Sequence, residues 1–421
     1  MARYGLLGEH LGHSYSPQIH ARLGSAPYAL FEVGPAELDG FILQGPWDGI
    51  NVTVPYKVRA AELSHERSAR VEALGAANTL IRRSDGTIFA ENTDALGFAA
   101  LLERFARSAF GSGAVDALRG RPVLVLGTGG SSRAVSYVLE QRCAARIVHV
   151  SRSGPIRADN AHEVCGDAAL IVNSTPVGMY PNCPATPLDA EQLKRFGQLE
   201  GVIDIVYNPR ITGLCLAAES LGLPWTSGLP MLVWQAIRSS ELFQGRRVES
   251  SLAERIIEEI DRRNANICLI GMPGSGKTTL GRQLAGLLSR PFVDLDDACA
   301  AESGRTPRQI IEEQGEDAFR ALETKVCSVQ AARSGLVIAT GGGIVTRPGN
   351  YALLHQNSTI VFVDRPLDQL SSEGRPLSQK DGVAALAAQR MPRYRAWADV
   401  AFARTDSVQD DARTLKGLLG L

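Results

Sequence analysis

Three short apolar runs each feed a glycine-rich turn. The first, residues 3–7, leads into Gly8 and a polar loop over residues 9–17. The second, residues 122–126, is followed by Gly127-Thr-Gly-Gly130 and a helical pattern over residues 132–141. The third, residues 267–270, is followed by Gly271-Met-Pro-Gly-Ser-Gly-Lys-Thr278 and a helical pattern to Leu288. An apolar strand, a glycine turn and a helix are the local grammar of parallel α/β domains. The pattern therefore predicts three α/β layers in succession, not a helical bundle or a β-sandwich. Residues 251–263 carry Leu252, Ile256, Ile257 and Ile260 on one helical face with charges opposite. This segment closes the first part of the chain. Only Asn264-Ala-Asn266 separates it from the third apolar run, a link short enough to predict near-fixed neighbours, not a flexible tether.

Composition narrows the class. The chain has 421 residues, 44% hydrophobic and 21% charged, with 44 basic against 45 acidic groups and a net charge of -1. That balance excludes a polycationic nucleic-acid binder and an acidic solvating tail. No apolar run approaches the ~18–20 residues that span a bilayer, and the N-terminus shows no apolar signal-peptide core. Seven cysteines (143, 165, 183, 215, 268, 299, 327) are dispersed without a C-x-x-C pair. This predicts reduced cytoplasmic thiols, not a disulfide frame or zinc site. The partners expected are small molecules, with no nucleic acid and no membrane. Six basic residues are lysine (57, 194, 277, 325, 380, 416), leaving 44 − 6 = 38 arginines. In such a chain a lysine can mark a place where arginine cannot do the job.

The loop Gly127, Thr128, Gly129, Gly130, Ser131 is a variant of the dinucleotide fingerprint. Glycines there let backbone approach a pyrophosphate lying on a helix N-terminus. The next apolar run, residues 146–150, ends in Ser151, Arg152 and Ser153. NAD enzymes commonly place an acid there for the ribose 2′-hydroxyl. An arginine with two hydroxyls suits a 2′-phosphate instead, which favours NADP over NAD. Taken singly, Arg152 would read as a solvated side chain in an arginine-rich sequence.

Around this loop, residues 8–240 resemble the shikimate dehydrogenase family. His13-Ser-Tyr-Ser-Pro17, Asn51-Val-Thr-Val-Pro-Tyr-Lys57, Gly75-Ala-Ala-Asn-Thr79 and Asn92-Thr-Asp94 match its motifs in order. Asn173-Ser-Thr-Pro-Val-Gly-Met179, Asp204-Ile-Val-Tyr-Asn-Pro209 and Gly228-Leu-Pro-Met-Leu-Val-Trp-Gln235 follow. The family's usual glycine after N-T-D is Ala95 here, and its N-R-T is Ser151-Arg-Ser153. The resemblance implies Lys57 as the proton-transfer residue and Asp94 as its partner carboxylate. Reducing a ketone requires a proton at the developing alkoxide, which a lysine can supply and an arginine cannot. Ser14, Ser16, Thr53, Asn78 and Gln235 could bind the hydroxyls and carboxylate of a polyhydroxy acid. The resemblance adds Tyr207 to the substrate site and Thr175, Ile205, Gly228 and Met231 to the cofactor site.

Gly271–Thr278 is a complete P-loop, G-x-x-x-x-G-K-[ST], between a strand and a helix. Its amides (Gly274, Ser275, Gly276, Thr279) cradle phosphates, Lys277 reaches the β/γ oxygens and Thr278 holds Mg²⁺. The rest of the chain, residues 267–397, resembles shikimate kinase. Phe292-Val-Asp-Leu-Asp296 matches its D-x-D, which implies Asp294 near the metal and Asp296 as acceptor ligand and base. Glu316-Asp-Ala-Phe-Arg-Ala-Leu-Glu323 makes Arg320 a carboxylate anchor, for which a guanidinium fork is suited. Ala339-Thr-Gly-Gly-Gly-Ile-Val345 brings Gly342 and Gly343 to the acceptor. Arg375-Pro-Leu matches a lid arginine that binds ATP phosphate, within a short lid (residues 371–379). Arg390-Met-Pro-Arg-Tyr394 supplies a second carboxylate arginine.

The combined reading is an α/β protein. A two-lobed dehydrogenase has its substrate lobe at 1–94 plus 230–263 and a Rossmann NADP lobe at 95–229. A P-loop kinase α/β/α domain follows at 264–421. The resemblance implies two consecutive steps of the shikimate pathway of aromatic amino acid biosynthesis. These are reduction of 3-dehydroshikimate with NADPH, then 3-phosphorylation of shikimate with MgATP. Two alternatives compete. An NAD-linked quinate/shikimate dehydrogenase is disfavoured by Arg152 and the attached kinase. A non-catalytic quinate-responsive regulator should have eroded Lys57, Asp94, Lys277 or Asp296, and all four stand.

Overall fold

The computed structural model describes residues 3–12, 14–142, 144–370, 382–405 and 407–421. The chain divides into two compact units. The first comprises residues 1–177, 186–208 and 214–261, the second residues 178–185, 209–213 and 262–421. Each of the three apolar runs with its glycine turn lies in a separate sheet.

The first unit holds two sheets. One is six-stranded: β1 (Tyr4–Gly8), β2 (Tyr28–Glu32), β3 (Gly49–Val52), β4 (Glu66–Arg67), β5 (Thr79–Arg82) and β6 (Ile88–Glu91), in the order β2-β1-β3-β5-β6-β4. It is a mixed sheet, because β5 runs antiparallel to both β3 and β6. The cause is local. Asp85 accepts from the Thr87 amide and hydroxyl, and this Asx turn with Gly86 folds β5 back into β6. Asn51 then lies opposite Thr79, and Thr79 opposite Glu91. The end of β3, the start of β5 and the end of β6 therefore share one edge of the sheet.

The second sheet is fully parallel: β7 (Pro122–Leu126), β8 (Arg146–Val150), β9 (Leu170–Asn173), β10 (Gly201–Asp204) and β11 (Trp225–Thr226), in the order β11-β10-β9-β7-β8. The chain leaves β7 for β8 on one side and returns to β9 on the other. The crevice beyond the ends of β7 and β9 is thus a topological switch point, where open α/β sheets bind ligands. The helix after β7 begins at Gly130, two residues earlier than its apolar pattern predicted, because the glycine turn itself enters the first helical turn. Likewise the polar loop after β1 gives way at Ser16 to a helix with Pro17 in its first turn, where proline's missing N–H costs nothing. Helices Thr93–Phe110 and Leu229–Gln244 pack almost backbone to backbone. A Cβ on Gly97 would lie 2.6 Å from the Met231 carbonyl oxygen.

The segment at 251–263 is a helix, Ser250–Asn264. Its buried face is Ala253, Ile256, Ile257 and Ile260, packed with Ile19, Leu23, Val233 and Ile237; Leu252 is only partly covered.

The sheet of the second unit is also parallel: β12 (Asn266–Ile270), β13 (Phe292–Asp294), β14 (Val337–Ala339), β15 (Ser358–Asp364) and β16 (Val400–Ala403), in the order β13-β14-β12-β15-β16. Two apolar layers cover its faces, one around Cys268, Phe319, Phe362 and Tyr394, the other around Leu269, Leu284, Phe402 and Leu415. Residues 209–213 join this unit through the Ile211 amide, which donates to the Gln356 carbonyl at 2.8 Å.

Candidate active sites

The shared edge of the six-stranded sheet assembles the first site. Lys57 opens the helix Lys57–Glu62 just after β3. Asp94 lies in the first turn of Thr93–Phe110, whose N-cap Asn92 accepts from the Ala95 amide. A carboxylate there faces the positive end of the helix dipole. Lys57 Nζ donates to Asp94 Oδ2 at 2.6 Å, and Asn78 Nδ2 donates to Asp94 Oδ1 at 2.8 Å. Both charged side chains are largely sheltered, 18% and 14% exposed.

A second layer of polar groups, which sequence reasoning did not single out, holds these three. Asn78 Oδ1 accepts from the Thr93 amide at 2.6 Å, which turns its Nδ2 toward Asp94. Asn51 Nδ2 donates to Thr79 Oγ1 and to the Asn78 carbonyl, and Asn51 Oδ1 accepts from the Tyr28 hydroxyl at 2.8 Å. Glu91 accepts from Ser68, Arg70 and the Asn92 amide, pinning the N-T-D turn. His20 stacks on Tyr28 at 4.0 Å and is held neutral, with burial lowering its pKa to about 3.

The remaining expected substrate groups lie on adjoining elements. Ser14 Oγ accepts from the Ser16 amide at 3.2 Å in the loop after β1, and Thr53 follows β3. Tyr207 stands against Tyr15 with ring centroids 5.2 Å apart, and burial pushes its hydroxyl up to about 12. Gln235 is buried and donates to the Leu232 carbonyl of its own helix.

The cofactor candidates line the ends of the parallel strands. Gly127 follows β7, Ser151 follows β8, Thr175 lies just past β9, Ile205 follows β10, and Gly228 caps the helix after β11. A Cβ on Gly127 would meet Ser174 and Thr175, whereas one on Gly129 or Gly130 would meet nothing within 4 Å. The bare loop at the start of Gly130–Gln141 thus leaves room for a pyrophosphate. Ser151 Oγ accepts from the Gly154 amide, and Arg152 and Ser153 are exposed. Met231 is buried in the apolar core with Ala95, Phe98 and Ile203.

In the second unit the P-loop Gly271–Gly276 leads from β12 into the helix Lys277–Leu288. Lys277 is 7% exposed, and its Nζ donates to the Gly271 and Met272 carbonyls at 2.9 and 3.0 Å. Ser275 Oγ is buried with no hydrogen-bond partner. Thr279 is exposed on the helix. Thr278 Oγ1 donates to Asp294 Oδ2 at 2.7 Å. These two hard oxygens fit Mg²⁺, which takes few protein ligands and completes its shell with water and phosphate.

Asp296 follows on the helix Leu295–Ser303. Burial, then the Glu323 and Asp294 charges, raise its carboxyl to about 6, while Lys277 and Arg320 pull the other way. Glu323, not assigned a role by sequence reasoning, is fully buried, and burial raises its pKa despite the Arg320 guanidinium at 2.7 Å. Arg320 also donates to Glu316. The glycines after β14 let backbone pass between these groups. A Cβ on Gly341 would fall 2.8 Å from Asp296 Oδ1, and one on Gly343 would overlap the Arg320 guanidinium.

Arg390 donates to the Gly342 carbonyl at 3.3 Å, and its buried Nε has no partner, which leaves a donor for an anionic ligand. The Tyr394 hydroxyl donates to the same carbonyl. The expected lid and Arg375 lie outside the described residues. Among the described residues no helix is long and apolar enough to cross a membrane.

Comparison with known proteins covers both parts of the chain. Residues 6–80 match the family model for the shikimate dehydrogenase substrate binding domain, and residues 273–417 match that for shikimate kinase. A shikimate dehydrogenase (NADP(+)) of Clostridium perfringens is 34% identical over 285 residues, which span 62% of this chain and all of the relative. The crystal structure of shikimate dehydrogenase 1 from Peptoclostridium difficile is 31% identical, with a TM-score of 0.54, over 62% of this chain and 98% of that one. The Thermus thermophilus shikimate 5-dehydrogenase, solved with NADP(H) and shikimate, is 30% identical with a TM-score of 0.51, over 62% and 99%. The chain therefore belongs to the shikimate dehydrogenase family and carries a shikimate kinase domain on the C-terminal side of its dehydrogenase part.

Proposed function

We infer that this bifunctional enzyme catalyses two consecutive steps, reduction of 3-dehydroshikimate to shikimate and phosphorylation of the shikimate 3-hydroxyl. It uses NADP(H), ATP and Mg²⁺. One observation carries the reading. Two lysines are drawn from solvent into separate sites, Lys57 onto Asp94 and Lys277 into the P-loop.

In the first site NADPH supplies the hydride. Lys57 delivers the proton to the alkoxide oxygen, and Asp94 fixes the ammonium while accepting from a substrate hydroxyl. Asn78 orients Asp94; Ser14, Ser16, Thr53, Tyr207 and Gln235 form the polar wall. Gly127–Ser131 and Ser151–Ser153 take the pyrophosphate and the 2′-phosphate, with Thr175, Ile205, Gly228 and Met231 beside them. Arg152 is the specificity element. Arg152→Ala should raise KM for NADPH about tenfold, the loss of one charge-assisted contact, with little effect on NADH. Steady-state rates with both cofactors measure it, and equal effects on both would remove Arg152 from the 2′-phosphate site.

In the second site MgATP supplies the phosphoryl group. Lys277, Gly274–Gly276 and Thr279 hold the phosphates, and Thr278 and Asp294 hold the metal. Asp296 takes the proton of the acceptor hydroxyl. Arg320 and Arg390 grip the acceptor carboxylate against the Gly342 and Gly343 backbone. Asp296 must be ionised to act as base, and its ionised form is the disfavoured one here, with a pKa of about 6. Kinase kcat/KM should therefore fall as pH drops through about 6, approaching tenfold per unit below it. A pH–rate profile of the isolated phosphorylation step reads this directly. A flat profile down to pH 5 would remove Asp296 as the base. Free cysteines and small-molecule substrates suit a cytoplasmic enzyme, without nucleic-acid or membrane partners.

A further inference from the structure

The P-loop is held from behind by a residue no motif marks. Arg404 follows β16, and its amide donates to the Asp364 carbonyl at the end of β15. Its guanidinium is 4% exposed. Nε donates to Asp411 Oδ2 at 3.0 Å, and Nη1 is shared between the Ser275 and Gly276 carbonyls at 3.4 and 3.3 Å. Asp411 is 1% exposed and is fixed in turn by the Thr405 amide and hydroxyl, at 3.0 and 2.8 Å to Oδ1. Burial alone would raise the Asp411 carboxyl, yet these bonds from Thr405 and Arg404 keep it below its usual value. The guanidinium lies so close to Gly276 that a Cβ there would overlap Nη1, and Gly276 has φ +84°. The helix that carries Asp411, Val408–Leu418, packs through Ala412 and Leu415 on Leu280 and Leu284 of the P-loop helix.

We propose that Arg404 is a positioning residue of the nucleotide site, which sets the P-loop amides of Gly276 and Lys277 toward the ATP phosphates by holding the carbonyls on the far side of the same peptide units. In a trans peptide unit the C=O and N–H point in opposite directions. The Ser275 carbonyl shares its unit with the Gly276 N–H, and the Gly276 carbonyl shares its unit with the Lys277 N–H. A cation held against both carbonyls fixes the direction of both donors and polarises them toward an anion. Asp411 fixes the guanidinium and offsets its charge in the buried setting. Lysine replaces this function only in part, because one ammonium lacks the planar fork that reaches a carboxylate and two carbonyls at once.

This inference rests on the reading of Gly271–Thr278 as the ATP phosphate cradle. The test compares the full-length wild type with Arg404→Lys and with the paired change Arg404→Met/Asp411→Leu, which removes both buried charges together. In the paired variant KM for ATP should rise about tenfold or more, the cost of losing charge-assisted bonds. KM for shikimate and NADPH oxidation should stay unchanged, and thermal stability should remain near wild type. Arg404→Lys should fall between. An ATP KM within about twofold of wild type in the paired variant, or an equal rise in KM for shikimate, overturns the proposal. Should the paired variant fail to fold, the ATP dissociation constant of Arg404→Lys decides, and less than a twofold change overturns it. A wild type that turns over no ATP would instead fault the cradle itself.

Discussion

Lys57→Ala is expected to abolish NADPH oxidation while leaving ATP-dependent phosphorylation of added shikimate intact. Lys57 Nζ is 2.6 Å from Asp94 Oδ2, and Asp94 is steered from its other oxygen by Asn78. Ketone reduction without a proton donor leaves an alkoxide uncompensated in a sheltered site. A positioned proton donor contributes about 10²–10⁴ in rate. The substitution also leaves Asp94 a sheltered carboxylate without its cation. The expected loss in kcat is therefore about three orders of magnitude, with KM for NADPH little changed. Lys57→Arg should not rescue it, because arginine keeps its proton. An NADPH-oxidation assay with 3-dehydroshikimate checks this, and retention of more than a tenth of wild-type kcat would contradict it.

Lys277→Ala should do the reverse. Shikimate phosphorylation should drop by about 10²–10³, the scale for removing one preorganised charge from a transition state. NADPH oxidation should be unchanged. Lys277 Nζ donates to the Gly271 and Met272 carbonyls, so its removal also takes two hydrogen bonds from the loop. A coupled ADP-release assay measures the loss. If either single change in a folded protein silenced both activities, the two sites would not be independent.

The comparison of lysines shows why part of this was legible in the sequence. Lys194 and Lys325 form exposed ion pairs with Glu191 and Glu302, where arginine would serve as well. Lys57 and Lys277 are sequestered, in the two places where the proposed steps call for lysine's chemistry. Strands that precede glycine turns were readable because apolar runs and glycines are local signals. The antiparallel β5–β6 hairpin has a local signal of its own, Asp85-Gly86 between two apolar runs, which a strand–glycine–helix pattern passes over. That hairpin is what brings Asn78 beside Asp94. The supporting residues Asn51, Thr79, Glu91 and Glu323 were missed because each is ordinary in isolation and acquires meaning only through partners up to 28 positions away. Arg404 was the hardest case. One arginine in 38 carries no message until a fold sets it 128 residues from its partner, against the Gly276 carbonyl. Long-range pairing also draws residues 178–185 and 209–213 into the second unit, which no local pattern announces.

The central claim is that one chain performs both steps. The most direct measurement follows purified protein given 3-dehydroshikimate, NADPH and MgATP, recording NADPH oxidation and ADP release together. The account predicts that shikimate 3-phosphate accumulates with one NADPH consumed per ADP formed, and that omitting ATP stops the sequence at shikimate. NADPH oxidation without any ATP-dependent product, or ADP release that does not depend on added or newly formed shikimate, would contradict it.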